Sequence, residues 1–211
     1  MRWPWKRRDV RCSNTQGVWG AASPGGPAPH ISAMFNLSSP RDSLADLPRL
    51  ETARLILGGL VPEDAPALAR LTDDPAITGA IDFLPEPFTL EDAKGLIHGG
   101  NRERDRFLGA WIRGEGGAAA LVGVVGAHLR GPGFIEIGYW IGGAARGRGF
   151  AFEAVSALAG HLARRFPART LVAECRPANT ASWGLLRKLG FEDTGAEGHR
   201  PGRRLLTLAR P

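Results

Sequence analysis

Cysteine is scarce: Cys12 and Cys175 are the only two in 211 residues, which excludes a disulfide framework. No apolar run approaches the roughly 18 residues that a membrane-spanning helix requires, so no membrane partner is expected. The basic start from Arg2 to Arg11 leads into polar and Gly/Pro-rich sequence, not into an apolar stretch. The pattern of a secretory leader is therefore missing, and the cytoplasm is the expected location. His98, His128, His161 and His199 have no metal-ligand spacing, and no metal is expected. A concentrated basic surface is also lacking. The formal net charge is +6, but residues 1–33 hold Arg2, Lys6, Arg7, Arg8 and Arg11 against Asp9, a surplus of four that leaves +2 for the remainder. That remainder suits a phosphate-bearing cofactor as well as it suits a nucleic acid. Its basic residues are spread out, not clustered with stacking aromatics, so nucleic acid is not the expected partner.

What is present is an ordinary globular composition, 43% hydrophobic and 23% charged, in a chain long enough for one packed domain. Residues 1–48 combine Gly, Pro, Ser and Arg without a sustained period and bury too little apolar surface to offset the entropy of ordering. They are expected to form a disordered basic tail, with Met34 as an alternative start; Trp3, Trp5 and Trp19 could instead serve a partner. A domain is expected over 49–211. Strands are expected at 53–60, 106–112, 119–129, 134–141 and 169–175, and a last one in "RRLLTLAR". Pro62 opens one helix, with Leu68 and Leu71 three apart. Thr89 and Asp92 have capping-box spacing at the start of a second. After Gly142 the period turns helical, with Phe152, Val155, Leu158, Ala159, Leu162 and Phe166 on one stripe. A fourth helix starts at Asn179 or Thr180 and ends at Gly190.

The stretch from Ile135 to Ala154, "IEIGYWIGGAARGRGFAFEA", is strand, glycine-rich loop and helix start. Glycines let backbone approach closely, and free N–H groups at a helix start favour an anion such as pyrophosphate. A P-loop would require a Gly-Lys-Ser/Thr ending, which is absent. A dinucleotide fingerprint would need glycine where Phe152 stands, and a parallel strand ahead of it where a hairpin is expected.

Arg146-x-x-Gly149-x-Ala151 resembles the Arg/Gln-x-x-Gly-x-Gly/Ala motif of the GNAT superfamily of N-acetyltransferases. "YWI" ahead of the loop, Glu153-Ala154 after it and "NTASWGLLRKLGF" downstream extend the likeness across about residues 49–210. Asn179-x-x-Ser182 followed by Leu189-Gly190-Phe191 resembles the branch that includes ribosomal-protein N-terminal (Rim-type) acetyltransferases. The resemblance implies an α+β fold, a mostly antiparallel central sheet of six or seven strands flanked by about four helices. It implies acetyl-CoA as co-substrate and an amine acceptor, a protein N-terminus or a small molecule; a second copy of the chain is admitted as a partner. Arg146, Gly147, Arg148, Gly149, Phe150 and Ala151 would surround the pyrophosphate. Trp140 and Ile141 would offer backbone N–H groups to the pantetheine arm and acetyl carbonyl, and Asn179, a helix cap in any case, would meet that arm.

Two side chains are candidates for the chemistry. Ser182 shares a helix face with Leu186 and Leu189 and could protonate the leaving sulfur; a back-bond to its own helix would equally explain a hydroxyl there. Glu136 shares a strand face with Phe134, Gly138 and Trp140, where a carboxylate among aromatics could take an ammonium proton, directly or through water. The alternative is a surface carboxylate. Glu153 reads as structural, and Cys175 as a small buried residue. Competing functions are a coenzyme A-binding regulatory module without turnover and, on charge alone, a nucleic-acid-binding protein.

Overall fold

The computed structural model describes residues 42–113 and 120–209. The expected tail as far as residue 41, with Met34 and the three tryptophans, lies outside the described residues. In chain order the elements are β1 (Leu50–Glu51), β2 (Leu55–Gly59), α1 (Ala65–Thr72), α2 (Pro75–Thr78), α3 (Leu90–His98), β3 (Asp105–Ile112), β4 (Ala120–Arg130) and β5 (Phe134–Ile141). They continue with α4 (Phe150–Arg165), β6 (Thr170–Cys175), α5 (Thr180–Lys188), β7 (Phe191–Glu197) and β8 (Arg204–Leu208). A single sheet has the order β1-β2-β3-β4-β5-β6-β8-β7. Only the β5–β6 pair is parallel.

The fold is therefore the mixed, mostly antiparallel α+β arrangement expected, with eight strands and five α-helices among the described residues. The additions to the expected count have plain causes. β1 has two residues and α2 has four, too short for either to show a period. β7 reads FEDTGAE and buries only Phe191, so nothing in it alternates. The folded unit also begins earlier than expected. Leu44 and Leu47 are buried in the core, the Leu44 N–H donates to the Glu103 carbonyl at 2.8 Å, and Arg169 binds Asp42 at 2.5 Å. Two leucines in polar sequence carry no periodic signal, which is why residues 42–48 read as tail.

Strand parity divides the core. β4 is buried along most of its length because both of its faces are covered. One face carries Leu108, Val125, Ala127, Ile135 and Ile137 and packs under α4 through Val155, Leu158 and Leu162. The other carries Val124 and Trp140 and packs under α1 and α3 through Leu68 and Leu96. The α4 stripe starts at Phe150 and Ala154; Phe152, expected on it, lies to one side beneath the Lys188 ammonium. Trp140 Nε1 donates to the buried Thr72 hydroxyl at 3.0 Å and ties α1 to β5.

The box at Thr89 is reciprocal: its hydroxyl accepts from the Asp92 N–H at 3.2 Å, and Asp92 accepts from the Thr89 N–H at 2.9 Å. Since α3 carries one wall of the second core, loss of this cap is felt by the whole domain. Thr89→Ala should cost about 1 kcal/mol, read as a fall of about 2–4 °C in Tm. An unchanged melting curve would show that α3 is held by packing alone.

Candidate active site

The sheet opens in its middle. β5 and β6 pair only at Phe134–Thr170, Ile135–Leu171 and Glu136–Val172. Beyond that, β5 stays bound to β4 as far as Ile141, and β6 stays bound to β8 as far as Cys175. Each strand is thus held from its far side while the shared edge parts. Backbone groups along such an edge need partners, and they are placed to pair with a bound chain as an added strand would.

The glycine-rich loop lies at the C-terminal end of β5. Gly147 and Gly149 adopt left-handed conformations, φ 74° and 79°, which glycine takes without strain. Gly149 is the N-cap of α4 and provides no side-chain cap. The first amides of a 16-residue helix are therefore left without an intrahelical or side-chain acceptor. The two arginines are exposed, and each has a partner within the protein. Arg146 donates to the Ile141 carbonyl at 3.1 Å and binds Asp74 at 2.7 Å. The Arg148 guanidinium lies 4.9 Å above the Phe150 ring, and its carbonyl accepts from Arg54 at 2.9 Å.

Arg54 is a residue the sequence reading missed. Besides the loop carbonyl, it binds Glu153 at 2.7 Å and lies 4.7 Å from the centre of the Phe150 ring. Glu153 also accepts from the Thr52 hydroxyl at 2.5 Å. Burial pushes its carboxyl up, but the hydrogen bonds from Thr52 and Arg54 outweigh that and hold it below the usual carboxylate range. Glu153 is structural, as expected, and fixes the start of α4 against the approach to β2.

Two hydroxyls face each other near the gap. Ser182 Oγ lies 2.7 Å from the Tyr139 hydroxyl, so its partner is on β5 and not in its own helix. Burial pushes the Tyr139 phenol up to about 12, only partly offset by the Ser182 hydrogen bond, so it keeps its proton and can donate to Ser182. Cys175 neighbours the same serine. Its thiol is raised by burial, against smaller opposing effects of Ser182 and Arg203, and remains a thiol. Asn179 caps α5, accepting from the Ser182 N–H at 3.1 Å, and is itself exposed. Tyr139 could have been noticed as the chain's single tyrosine, on the strand before the loop.

On the opposite face the expectation of an available carboxylate at Glu136 is not met. Glu136 is buried, one oxygen bound to Arg130 at 2.9 Å and the other to Arg200. Taking a proton would mean giving up a guanidinium partner, so the geometry makes Glu136 an anchor for two arginines and not a free base. Arg200 also binds Glu174 on β6 at 2.8 Å. It therefore bridges β5 and β6 close to where they part.

The chain matches the family model described as an acetyltransferase (GNAT) domain over residues 54–192, more than half its length. It belongs to the GNAT acetyltransferase family. It is 25% identical over 148 residues to the uncharacterized N-acetyltransferase YnaD of Bacillus subtilis (strain 168), covering 69% of this chain and 84% of that one. Among solved structures, a GNAT-family acetyltransferase from Bacillus anthracis superposes with a TM-score of 0.64 at 22% identity, over 76% of this chain and 97% of that chain. RimL, a ribosomal L7/L12 alpha-N-protein acetyltransferase solved with coenzyme A, gives a TM-score of 0.64 at 21% identity, over 76% and 97% of the two chains. Likeness at these identities speaks to the fold. The protein is therefore an acetyltransferase of the GNAT class.

A side chain at Gly147 would project into open space, with nothing within 4 Å. The same holds at Gly131 in the β4–β5 turn, φ 57°, which makes a strain-matched control. Gly147→Ala and Gly131→Ala should each cost roughly 1–2 kcal/mol of stability. Only Gly147→Ala should weaken acetyl-CoA binding, by about tenfold or more, as read by calorimetry. Equal affinity in the two variants would remove the loop from the cofactor site.

Proposed function

We propose that this protein transfers the acetyl group of acetyl-CoA to a primary amine, on a protein N-terminus or a small molecule, by direct attack in a ternary complex. The observation that carries this reading is the parting of β5 from β6 after Glu136–Val172, with the Ser182–Tyr139 pair beside the gap and the uncapped start of α4 at the end of β5. The amides of Gly147 to Ala151, with Arg146 tying the loop to Asp74 and the exposed Arg148 beside it, hold the pyrophosphate. The pantetheine arm lies along the open edge of β5, where the backbone N–H groups of Tyr139 and Ile141 face away from β4 and are offered to it and to the acetyl carbonyl. The N–H expected of Trp140 is not available, because Trp140 pairs with Val124 in step with the Gly142 N–H that donates to the Val122 carbonyl, and so faces β4. The Trp140 side chain points into the second core and that of Ile141 into the first. Asn179 has already used its carbonyl oxygen on Ser182, leaving its amide NH2 for the arm. A groove beside Gly149, lined by Arg54, Phe152, Ser156 and Lys188, offers a ring face and two cations to the nucleotide end.

Attack by the amine puts charge on the acetyl oxygen, which a preorganised donor stabilises. Collapse of the tetrahedral species expels the thiolate, and Ser182 supplies a proton to the sulfur with the Tyr139 hydroxyl behind it. Ser182→Ala should lower kcat on the order of a hundredfold while the acetyl-CoA Kd stays within about twofold. Tyr139→Phe should produce a smaller loss, because Ser182 keeps its own proton. The measurement is thiol release across a panel of primary amines, with the cofactor Kd taken in parallel. A Ser182→Ala enzyme as fast as wild type would take the hydroxyl out of the mechanism. Tight acetyl-CoA binding with no thiol release on any amine would overturn the transferase reading itself.

A further inference from the structure

Glu136 being occupied leaves open what accepts the proton of the incoming ammonium. On the face opposite the hydroxyl pair, β4 and β5 place two glycines directly across from each other, Gly126 and Gly138. A Cβ on Gly126 would come within 2.7 Å of His128 Nε2 and 3.1 Å of the Phe107 ring, so the imidazole lies across a space that only glycine leaves. At Gly138 the nearest atom to a Cβ would again be His128 Nε2, at 3.9 Å. Gly138 is half-buried although it lies in a central strand, between the buried Glu136 and Trp140 of its own face. Solvent therefore reaches the sheet at Gly138, just past the last β5–β6 pair, and His128 Nε2 borders that opening.

The other ring nitrogen is engaged. His128 Nδ1 lies 2.8 Å from Asp105 Oδ1 on β3, its neighbour in register. Burial pushes the Asp105 carboxyl up, but His128 and Arg130 together outweigh it, and it stays below its ordinary value as an ion. An ionised carboxylate only accepts, so Nδ1 must carry the hydrogen, and in the neutral ring the lone pair is then on Nε2. The charged groups around the ring are accounted for. Arg130 on β4 binds Asp105 at 3.0 Å and Glu136 at 2.9 Å, and Glu136, across from His128 on β5, is bound in turn to Arg200 of the β7–β8 turn. Within the sheet the ring meets Phe107 of β3, which packs on Trp140 and on Phe83 of the loop after α2, while Asp82 of that loop is bound to Arg176 and Arg203.

We infer that His128 is the general base of the transfer, set in the Nδ1–H tautomer by Asp105 as a positioning residue, and that the acceptor amine enters through the opening over Gly138. This rests on the acetyl-transfer reading above. His128 Nε2 takes one proton from the ammonium, freeing the nitrogen lone pair. The N–C bond then forms as the carbonyl π-pair moves to oxygen, and the C–S bond breaks as that pair returns. The second nitrogen proton passes through water to the Ser182 oxygen, which has given its own to the thiolate. His128 releases its proton to solvent, and the products are amide, thiol and one net proton.

The test uses the full chain with whichever of three probes, a short peptide with a free N-terminus, a linear diamine or an arylethylamine, wild type acetylates fastest. His128→Gln keeps a polar group of similar reach that cannot take a proton. It should lower kcat/KM at neutral pH by about a hundredfold or more, with the loss shrinking as pH approaches the acceptor's own pKa and the acetyl-CoA Kd unchanged. Asp105→Asn should give a smaller loss, which Asp105→Glu partly restores. A second measurement needs no acceptor and no altered site. Imidazole 15N shifts of wild type at neutral pH, with His128 assigned by its absence in His128→Gln or in a second variant, His128→Asn, should show protonated Nδ1 and bare Nε2. A hydrogen on Nε2, or a folded His128→Gln enzyme with wild-type kcat/KM, overturns the assignment and leaves acetyl transfer standing. Wild type that releases thiol on no amine overturns both.

Discussion

The structure depends on a parallel strand pair that is allowed to fail after three residues. In an unbroken sheet the edges of β5 and β6 would satisfy each other along their length; here they separate at Glu136 and Val172. A strand edge with no partner in the middle of a sheet is costly, because N–H and C=O groups removed from water need replacement bonds. The fold tolerates it because β4 and β8 hold the two strands from outside. On the proposed reading, the amides of the pantetheine arm supply the missing partners, so the cofactor completes the sheet and is oriented by the same ladder geometry that sets strand register.

Keeping such a gap at a fixed width is a separate problem, and buried charge solves it. Arg200 binds Glu136 on one strand and Glu174 on the other. Burial works against its charge, but the two carboxylates outweigh that and its guanidinium is raised above its ordinary value. Buried ion pairs of this kind are weak net stabilisers, since desolvation consumes most of the attraction. Their worth here is positional: a planar fork held on both sides permits less play than an apolar contact of equal volume. Arg130 extends the set from Glu136 to Asp105, so strands β3 to β6 are joined by one continuous chain of charges across this face.

Much of this was legible in the sequence and some was not, for identifiable reasons. The β4–β5 hairpin, the helix after Gly142, the reciprocal cap at Thr89 and the glycine loop were readable because each depends on residues within a few positions of one another. The α4 stripe was read two residues out of place at its start, since Phe152 has the right hydrophobicity and the wrong angle. β7 could not be read from a sequence that buries one residue in seven. Side-chain partners at long range were the main loss. Ser182 was picked out correctly as a hydroxyl needing a reason, but its reason, Tyr139, lies 43 positions away. Glu136 was put on the right face, yet strand parity does not reveal that Arg130 and Arg200 occupy it. His128 was considered only for metal-ligand spacing, and Asp105 is 23 residues distant.

Arginines among the described residues have structural work that does not depend on a polyanionic partner. Arg54 ties the approach to β2 to the start of α4, and Arg146 ties the glycine loop to Asp74. Arg169 holds the first described residues through Asp42, and Arg176 with Arg203 grips Asp82 on the loop after α2. Each joins segments far apart in sequence at a place where no ladder or helix does so. A guanidinium suits that work better than an ammonium, because its planar fork can bind a carboxylate and a carbonyl together, as Arg203 does with Asp82 and Ala80. On the proposed reading the glycine loop meets an anion through its backbone dipoles, while Arg146, engaged by Asp74 and by the Ile141 carbonyl, holds the loop in shape.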